Sequence, residues 1–223
     1  MIIAIDGPAA SGKSTTAKLA GQKLGFLYID TGAMYRAMTL NVKNNKINYN
    51  DRDGIIGLIE HTKIDQTLDL ANGNTKTFLN GIDVSEEIRT PEISRGVGPV
   101  CEIREVRESL VSLQRIMGSN QDVILDGRDI GTVVFPNAEL KFWMIADVDV
   151  RAKRRFDELS SKGIDVDFKS IKDDLIERDR RDSQRDNSPM KPADDAFFLD
   201  TSALSIDEQV EVIVKEVRRI KNL

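Results

Sequence analysis

Residues 7–14 read Gly7-Pro8-Ala9-Ala10-Ser11-Gly12-Lys13-Ser14, which satisfies G-x-x-x-x-G-K-[ST] at every position. The glycines of such a run let backbone N–H groups turn inward around phosphate oxygens, and the following helix adds the positive end of its dipole. Lys13 is spaced to reach β- and γ-phosphates, and the Ser14 hydroxyl to ligate Mg²⁺. The context suits the motif: an apolar run, Met1 to Ile5, precedes it, and a helical pattern through Ala17, Leu19, Ala20 and Leu24 follows. The chemistry expected is that of a nucleoside triphosphate.

Three further groups carry chemistry. The first is Asp126-Gly127-Arg128-Asp129, at the end of a short apolar run. Asp126 would stand near Mg²⁺, and Arg128 suits a phosphate. Asp129 suits a ribose hydroxyl or an exocyclic amine, because a carboxylate only accepts hydrogen bonds. The second group lies in residues 171–186, read as one helix. Arg178, Asp182 and Arg185 recur there at i, i+4 and i+7 and so share a face, with Arg181 beside it. A charged helix of this kind is usually a solvated surface. A phosphate loop elsewhere in the chain favours a lid instead, since phosphoryl transfer needs guanidinium groups around the moving group and a site closed to water. The third is Thr31-Gly32-Ala33-Met34-Tyr35-Arg36. Thr31 is the expected N-cap, and Arg36 can point back to an anion at that helix end.

The elements that must position these groups alternate. Apolar runs at Ile2–Ile5, Phe26–Ile29, Val123–Leu125, Leu140–Ile145 and Phe197–Leu199 read as strands. Helical patterns cover Lys13–Leu24, Ala33–Val42, Val106–Met117, Val150–Leu159 and Ile206–Ile220, the last opened by a Ser205/Glu208 capping box. Short apolar strands alternating with helices predict an α/β fold with a parallel sheet covered on both faces, its ligands at the carboxyl ends of the strands. Asp6, Asp30, Asp126, Asp147 and Asp200 crowd that rim.

Two stretches interrupt the alternation. Residues 62–85 hold two alternating runs around Ala71-Asn72-Gly73-Asn74, a hairpin signal that predicts a small antiparallel lobe over roughly 47–105. The other runs from roughly 151 to 192, between the basic run Arg151-Ala152-Lys153-Arg154-Arg155 and Pro189.

Composition narrows the class. The chain has 223 residues, 40% hydrophobic and 31% charged, which is ample for a buried core. The single Cys101 and single His61 exclude a disulfide framework and Cys- or His-based metal centres. No apolar run approaches transmembrane length, and the first residues lack the pattern of a signal peptide, so no membrane association and a cytoplasmic location are expected. The net charge of −5 speaks against a nucleic-acid-binding surface. No Asn-Lys-x-Asp guanine signature accompanies the phosphate loop.

Taken together, GPAASGKST, DTGAMYRA, DGRDIGTVVFP and ERDRRDSQR resemble the bacterial cytidylate kinases, over essentially the whole chain. The resemblance implies a three-layer P-loop fold with a five-stranded parallel sheet, an inserted monophosphate-binding lobe and a short helical lid. In that division the core is approximately 1–46, 106–150 and 193–223. It implies ATP-dependent phosphorylation of CMP and dCMP by a monomer, with Mg²⁺. Gly7, Pro8, Ala9, Ala10, Ser11, Gly12, Lys13, Ser14 and Thr15 would cradle ATP. Thr31 and Arg36 would contact the acceptor, Arg107 and Arg128 its phosphate, and Asp129 the cytosine or sugar. From the lid, Arg178 and Arg185 would serve the phosphates and Asp182 the sugar hydroxyls. Lys13, Arg128, Arg178 and Arg185 form the implied catalytic set. One departure stands out: relatives carry a small polar residue for the base just before the VRE stretch, whereas no Ser or Thr lies between Ser94 and Ser109 here. Ser94, Cys101 and backbone groups are the alternatives.

Overall fold

The structure is a computed structural model that describes residues 1–69 and 74–221. The chain opens with β1 (Ile2–Asp6), α1 (Lys13–Leu24), β2 (Leu27–Asp30) and α2 (Thr31–Asn44). Then come α3 (Arg52–Leu58), an antiparallel trio of β3 (Ile64–Asp69), β4 (Asn74–Leu79) and β5 (Ile82–Asp83), and the helices α4 (Pro91–Glu102) and α5 (Arg104–Gly118). The remainder is β6 (Val123–Gly127), β7 (Leu140–Ile145), α6 (Val148–Ser161), α7 (Phe168–Gln184), β8 (Phe197–Asp200) and α8 (Ile206–Lys221). The parallel sheet has five strands in the order β2-β6-β1-β7-β8, and the small sheet runs β3-β4-β5. The predicted α/β class, with its parallel five-stranded sheet and small antiparallel sheet, is what the chain forms. The Asn72-Gly73 turn predicted between β3 and β4 lies outside the described residues. No helix among the described residues is long and apolar enough to cross a membrane.

The chain divides into two compact units. The first comprises Met1–Phe26 and Asp122–Leu223. In it β1 is central: Ile2 to Asp6 pair in parallel with Val123 to Gly127, and Ile3 to Asp6 with Leu140 to Trp143. Ile3, Ile5, Ile124, Leu125, Phe142 and Met144 are fully enclosed, as expected for strands covered on both faces. α1 packs on α8, where the buried Thr16 hydroxyl donates to Gln209 Oε1 at 2.8 Å. α1 stops at Gly25, whose left-handed φ of 70° lets the Phe26 N–H return to Gly21 O at 2.9 Å. α8 starts at the predicted box: Glu208 accepts from the Ser205 N–H at 2.8 Å, and Ser205 Oγ accepts from the Glu208 N–H at 3.3 Å.

The second unit, Leu27–Gln121, is contiguous. β3 and β4 pair from Ile64↔Leu79 to Asp69↔Asn74. α4 is a helix that the sequence reading passed over, because Gly96, Gly98 and Pro99 look like loop residues. It is started by Thr90, which accepts from the Ile93 N–H at 3.4 Å, and by Pro91 in the first turn, where a missing N–H costs nothing. Gly96 is required by packing: a Cβ there would lie 2.7 Å from Cζ of Tyr49.

Candidate active site

The phosphate loop is shaped by close approach. Gly7 has φ 146°, and a Cβ on it would stand 2.0 Å from the Met144 carbonyl oxygen of β7. Gly12 has φ 98°. Ala10, with no such freedom, is nonetheless held at φ 59°. α1 then begins at Lys13 with no side-chain cap from Gly12. An uncapped helix start under a glycine loop is an anion-binding geometry. Lys13 is 4% exposed, and its ammonium donates to Pro8 O and, at 3.2 Å, to Ser11 Oγ. Burial drives the Lys13 pKa well below its ordinary value, and the nearby Arg128 and Arg178 add to that; Asp126 and Asp6 oppose it. Ser14 and Thr15 are exposed on the first turn, and Ser14 Oγ donates to Asp126 Oδ2 at 2.7 Å. Ser14 and Asp126 thus present two oxygen ligands side by side.

Asp6 is a residue the sequence reading noted only as part of a rim of carboxylates. It ends β1, is 4% exposed, and accepts from the Ile130 N–H at 2.8 Å and the Gly131 N–H at 2.7 Å. It thereby fastens the turn that carries Arg128 and Asp129. Burial pushes the Asp6 pKa up to about 7 despite those two hydrogen bonds, with Asp129 adding to the rise and Lys13 reducing it. Asp129 itself is buried.

In the first unit the charged end of α7 centres on Asp182, which pairs with Arg128. Arg128 Nε donates to Asp182 Oδ2 at 3.0 Å, and Arg128 Nη1 to Gly127 O at 3.2 Å. Burial works against the Arg128 charge, but Asp182 and Asp126 outweigh it and raise the pKa. Burial works against the Asp182 carboxylate as well, yet Arg128, Arg178 and Arg185 hold its pKa below the usual range. The helix predicted over 171–186 is Phe168–Gln184, so Arg185 lies just past its end rather than on the shared face. The helix stops there because the Arg185 backbone is extended. Arg185 still reaches Asp182 at 3.7 Å, while its Nη2 donates to Ser188 O at 2.8 Å. Arg181 instead faces Glu177 at 3.6 Å, both exposed. Arg178 is close enough to both Lys13 and Asp182 to shift their protonation.

In the second unit, the N-cap of α2 is Asp30 rather than Thr31. Asp30 Oδ1 accepts from the Ala33 N–H at 2.7 Å, and Thr31 is the first helical residue, buried. A carboxylate is the stronger cap beside the helix dipole. Arg36 does point back to that end, where its Nη2 meets Asp30 Oδ2 at 3.2 Å. Arg107 is buried, donates to Cys101 O at 3.4 Å and stacks over the Tyr35 ring at 5.3 Å. Ser94 Oγ donates to Thr90 O at 3.0 Å and Cys101 Sγ to Gly98 O at 3.2 Å, so both base-recognition candidates have local backbone partners.

Comparison with known proteins gives a consistent result. A family model described as cytidylate kinase matches residues 3–219. A cytidylate kinase of Lactobacillus johnsonii is 51% identical over 219 residues, 98% of this chain and 94% of that protein. A cytidylate kinase of Bacillus subtilis is 44% identical over 217 residues, 97% of this chain and 96% of that one. A crystal structure of an uncharacterized protein from Eubacterium ventriosum aligns with a TM-score of 0.53 over 97% of this chain and 98% of that one. At 12% identity that last likeness concerns the fold alone.

Proposed function

The chain belongs to the cytidylate kinase family, and we propose that it transfers the γ-phosphoryl group of ATP to CMP and dCMP, giving CDP and dCDP. The observation that carries this reading is the phosphate loop, with its uncapped helix start and buried Lys13, whose charge Arg128 and Arg178 are near enough to influence. Three cations within electrostatic reach of one another suit a group whose negative charge spreads over several oxygens as it moves.

In the proposed reaction an oxygen of the acceptor phosphate attacks the γ-phosphorus in line. The new P–O bond forms as the bond from that phosphorus to the β–γ bridging oxygen breaks, and ADP leaves. The acceptor oxygen is already anionic, so no strong general base is needed. Gly7 to Thr15 hold the ATP phosphates; Lys13, Arg128, Arg178 and Arg185 neutralise charge on the transferring group. Thr31, Arg36 and Arg107 bind the acceptor, Asp129 its cytosine or sugar and Asp182 its sugar hydroxyls. The lid helices exclude water, which would otherwise accept the phosphoryl group. In this reading roughly 47–105 is the acceptor lobe and roughly 151–192 the lid.

Ser14 and Asp126 fit a magnesium ion that arrives with the nucleotide. Mg²⁺ prefers hard oxygen ligands and keeps its waters, so one hydroxyl and one carboxylate beside a phosphate site suffice. Among the described residues no group of three or more His, Cys, Asp or Glu side chains would make an all-protein cage. Bound there, the ion would offset charge on the phosphate oxygens.

The partners in this reading are small molecules only, in the cytoplasm, with the protein a monomer. ADP release with CMP, dCMP, UMP and AMP as acceptors tests the assignment. CMP and dCMP should lead; CMP performing no better than AMP would overturn it.

A further inference from the structure

We propose that Arg151 and Asp179 are positioning residues that register the lid on the phosphate loop by gripping both backbone groups of Ala9. The Ala9 N–H donates to Asp179 Oδ1 at 3.3 Å, and the Ala9 carbonyl accepts from Arg151 Nη1 at 3.1 Å. The same Arg151 Nη1 closes the ring on Asp179 Oδ2 at 2.6 Å. Arg151 is itself fixed by Nε donating to Ala146 O at 3.0 Å. Two helices, α6 through Arg151 and α7 through Asp179, therefore hold a single loop residue.

Packing follows the same line. The Ala9 side chain is buried in an apolar cluster with Ala152 of α6 and with Ile171 and Leu175 of α7. The tip of the phosphate loop is thus part of the core of the lid hairpin. The neighbouring Ala10 is held at φ 59°, a conformation a non-glycine residue keeps only when its surroundings enforce it.

The consequence for chemistry lies one residue away. Arg178 precedes Asp179, and Asp182, one turn on, is tied to Arg128 at 3.0 Å. α7 is therefore pinned at two points just beyond Arg178, one on the phosphate loop and one at the end of β6. The ion pair is largely enclosed, with the Arg151 side chain 8% exposed and that of Asp179 19%. An enclosed pair is a weak source of net stability compared with apolar packing, but it is directional, and direction is what the placement of a guanidinium requires.

This inference rests on the kinase reading for its kinetic consequence but not for its structural one, and the test separates them. Asp179→Ala removes the acceptor of the Ala9 N–H and the carboxylate that Arg151 pairs with, and leaves the Arg151 contact to Ala9 O; Asp179→Asn keeps an acceptor for the Ala9 N–H and loses the charge. Amide exchange at Ala9 is followed by NMR, and kcat and KM are measured at a temperature where melting curves show the variants folded. In Asp179→Ala, Ala9 exchange should speed up about tenfold or more. Its kcat should fall about tenfold, toward the hundredfold that a misplacement near 1 Å can produce, and Asp179→Asn should lie between. Wild-type inactivity on CMP would remove the kinase reading and leave the exchange result standing. Unchanged Ala9 exchange in the folded Asp179→Ala variant overturns the grip. Faster exchange with unchanged kcat overturns its positioning role.

Discussion

Replacing Asp6 by Asn should change how stability depends on pH, by an amount that follows from the site. Asp6 has a folded pKa of about 7 against an ordinary 3.8, with burial as the principal cause. Between those values the folded protein binds a proton that the unfolded chain has released. Stability contributed at this position is therefore lost as pH rises through the interval, and the loss is complete above about 7. At about 1.4 kcal/mol per pH unit, the full separation amounts to roughly 4 kcal/mol, of which more than half falls between about pH 5 and about pH 8. Asparagine has no proton to exchange. It offers one oxygen to the Ile130 and Gly131 amides where the carboxylate offers two, a loss of about 1–3 kcal/mol that is independent of pH. Urea unfolding of both proteins at several pH values isolates the first effect from the second. The wild-type protein should lose roughly 2–3 kcal/mol relative to Asp6→Asn on going from about pH 5 to about pH 8. A stability difference that stays constant within about 0.5 kcal/mol over that range would refute the reasoning, because Asp6 would then titrate alike in both states.

Two other substitutions bear on the site. Arg178 is exposed, so Arg178→Ala should leave the unfolding free energy within about 0.5 kcal/mol of wild type while lowering kcat by about 10²-fold or more; unchanged kcat would remove Arg178 from the catalytic set. Gly7→Ala would drive a Cβ to 2.0 Å from Met144 O at a φ of 146°, and should destabilise the protein by more than about 3 kcal/mol in urea unfolding. A midpoint equal to wild type would mean that β1 and β7 can part at that point.

Much of this architecture is legible in the residues because local signals and tertiary packing agree. Leu140–Ile145 is a run of apolar residues between turn formers, and it forms β7 end to end. Lys13–Leu24 begins beneath a glycine loop and ends at Gly25, as α1 does. Where they disagree, reading fails. α4 carries two glycines and an internal proline, and what holds it is Tyr49 against Gly96, a contact no periodicity reports. Asp30 rather than Thr31 caps α2 because both are good capping residues and only the backbone decides which stands outside the helix. The phosphate-loop motif and the charged helix α7 announce themselves by composition. Asp6 and Asp179 do not, since each acts through backbone amides of a segment distant in sequence. Arg151 reads as one member of a basic run, yet it is buried and directed at the loop.

The central position of β1 has a consequence for the order of folding. Its two neighbours are β6 and β7, so Ile2 waits for Val123 and Ile3 for Leu140. The second unit is contiguous and can close from local contacts while these residues remain unpaired. Gly7 has no carbonyl to press against until Met144 exists, and Thr16 no partner until Gln209 does. β1 and the loop after it are thus among the last segments to take their shape. Order in the Gly7–Gly12 loop therefore depends on segments far along the chain, and can report how far the first unit has closed during refolding.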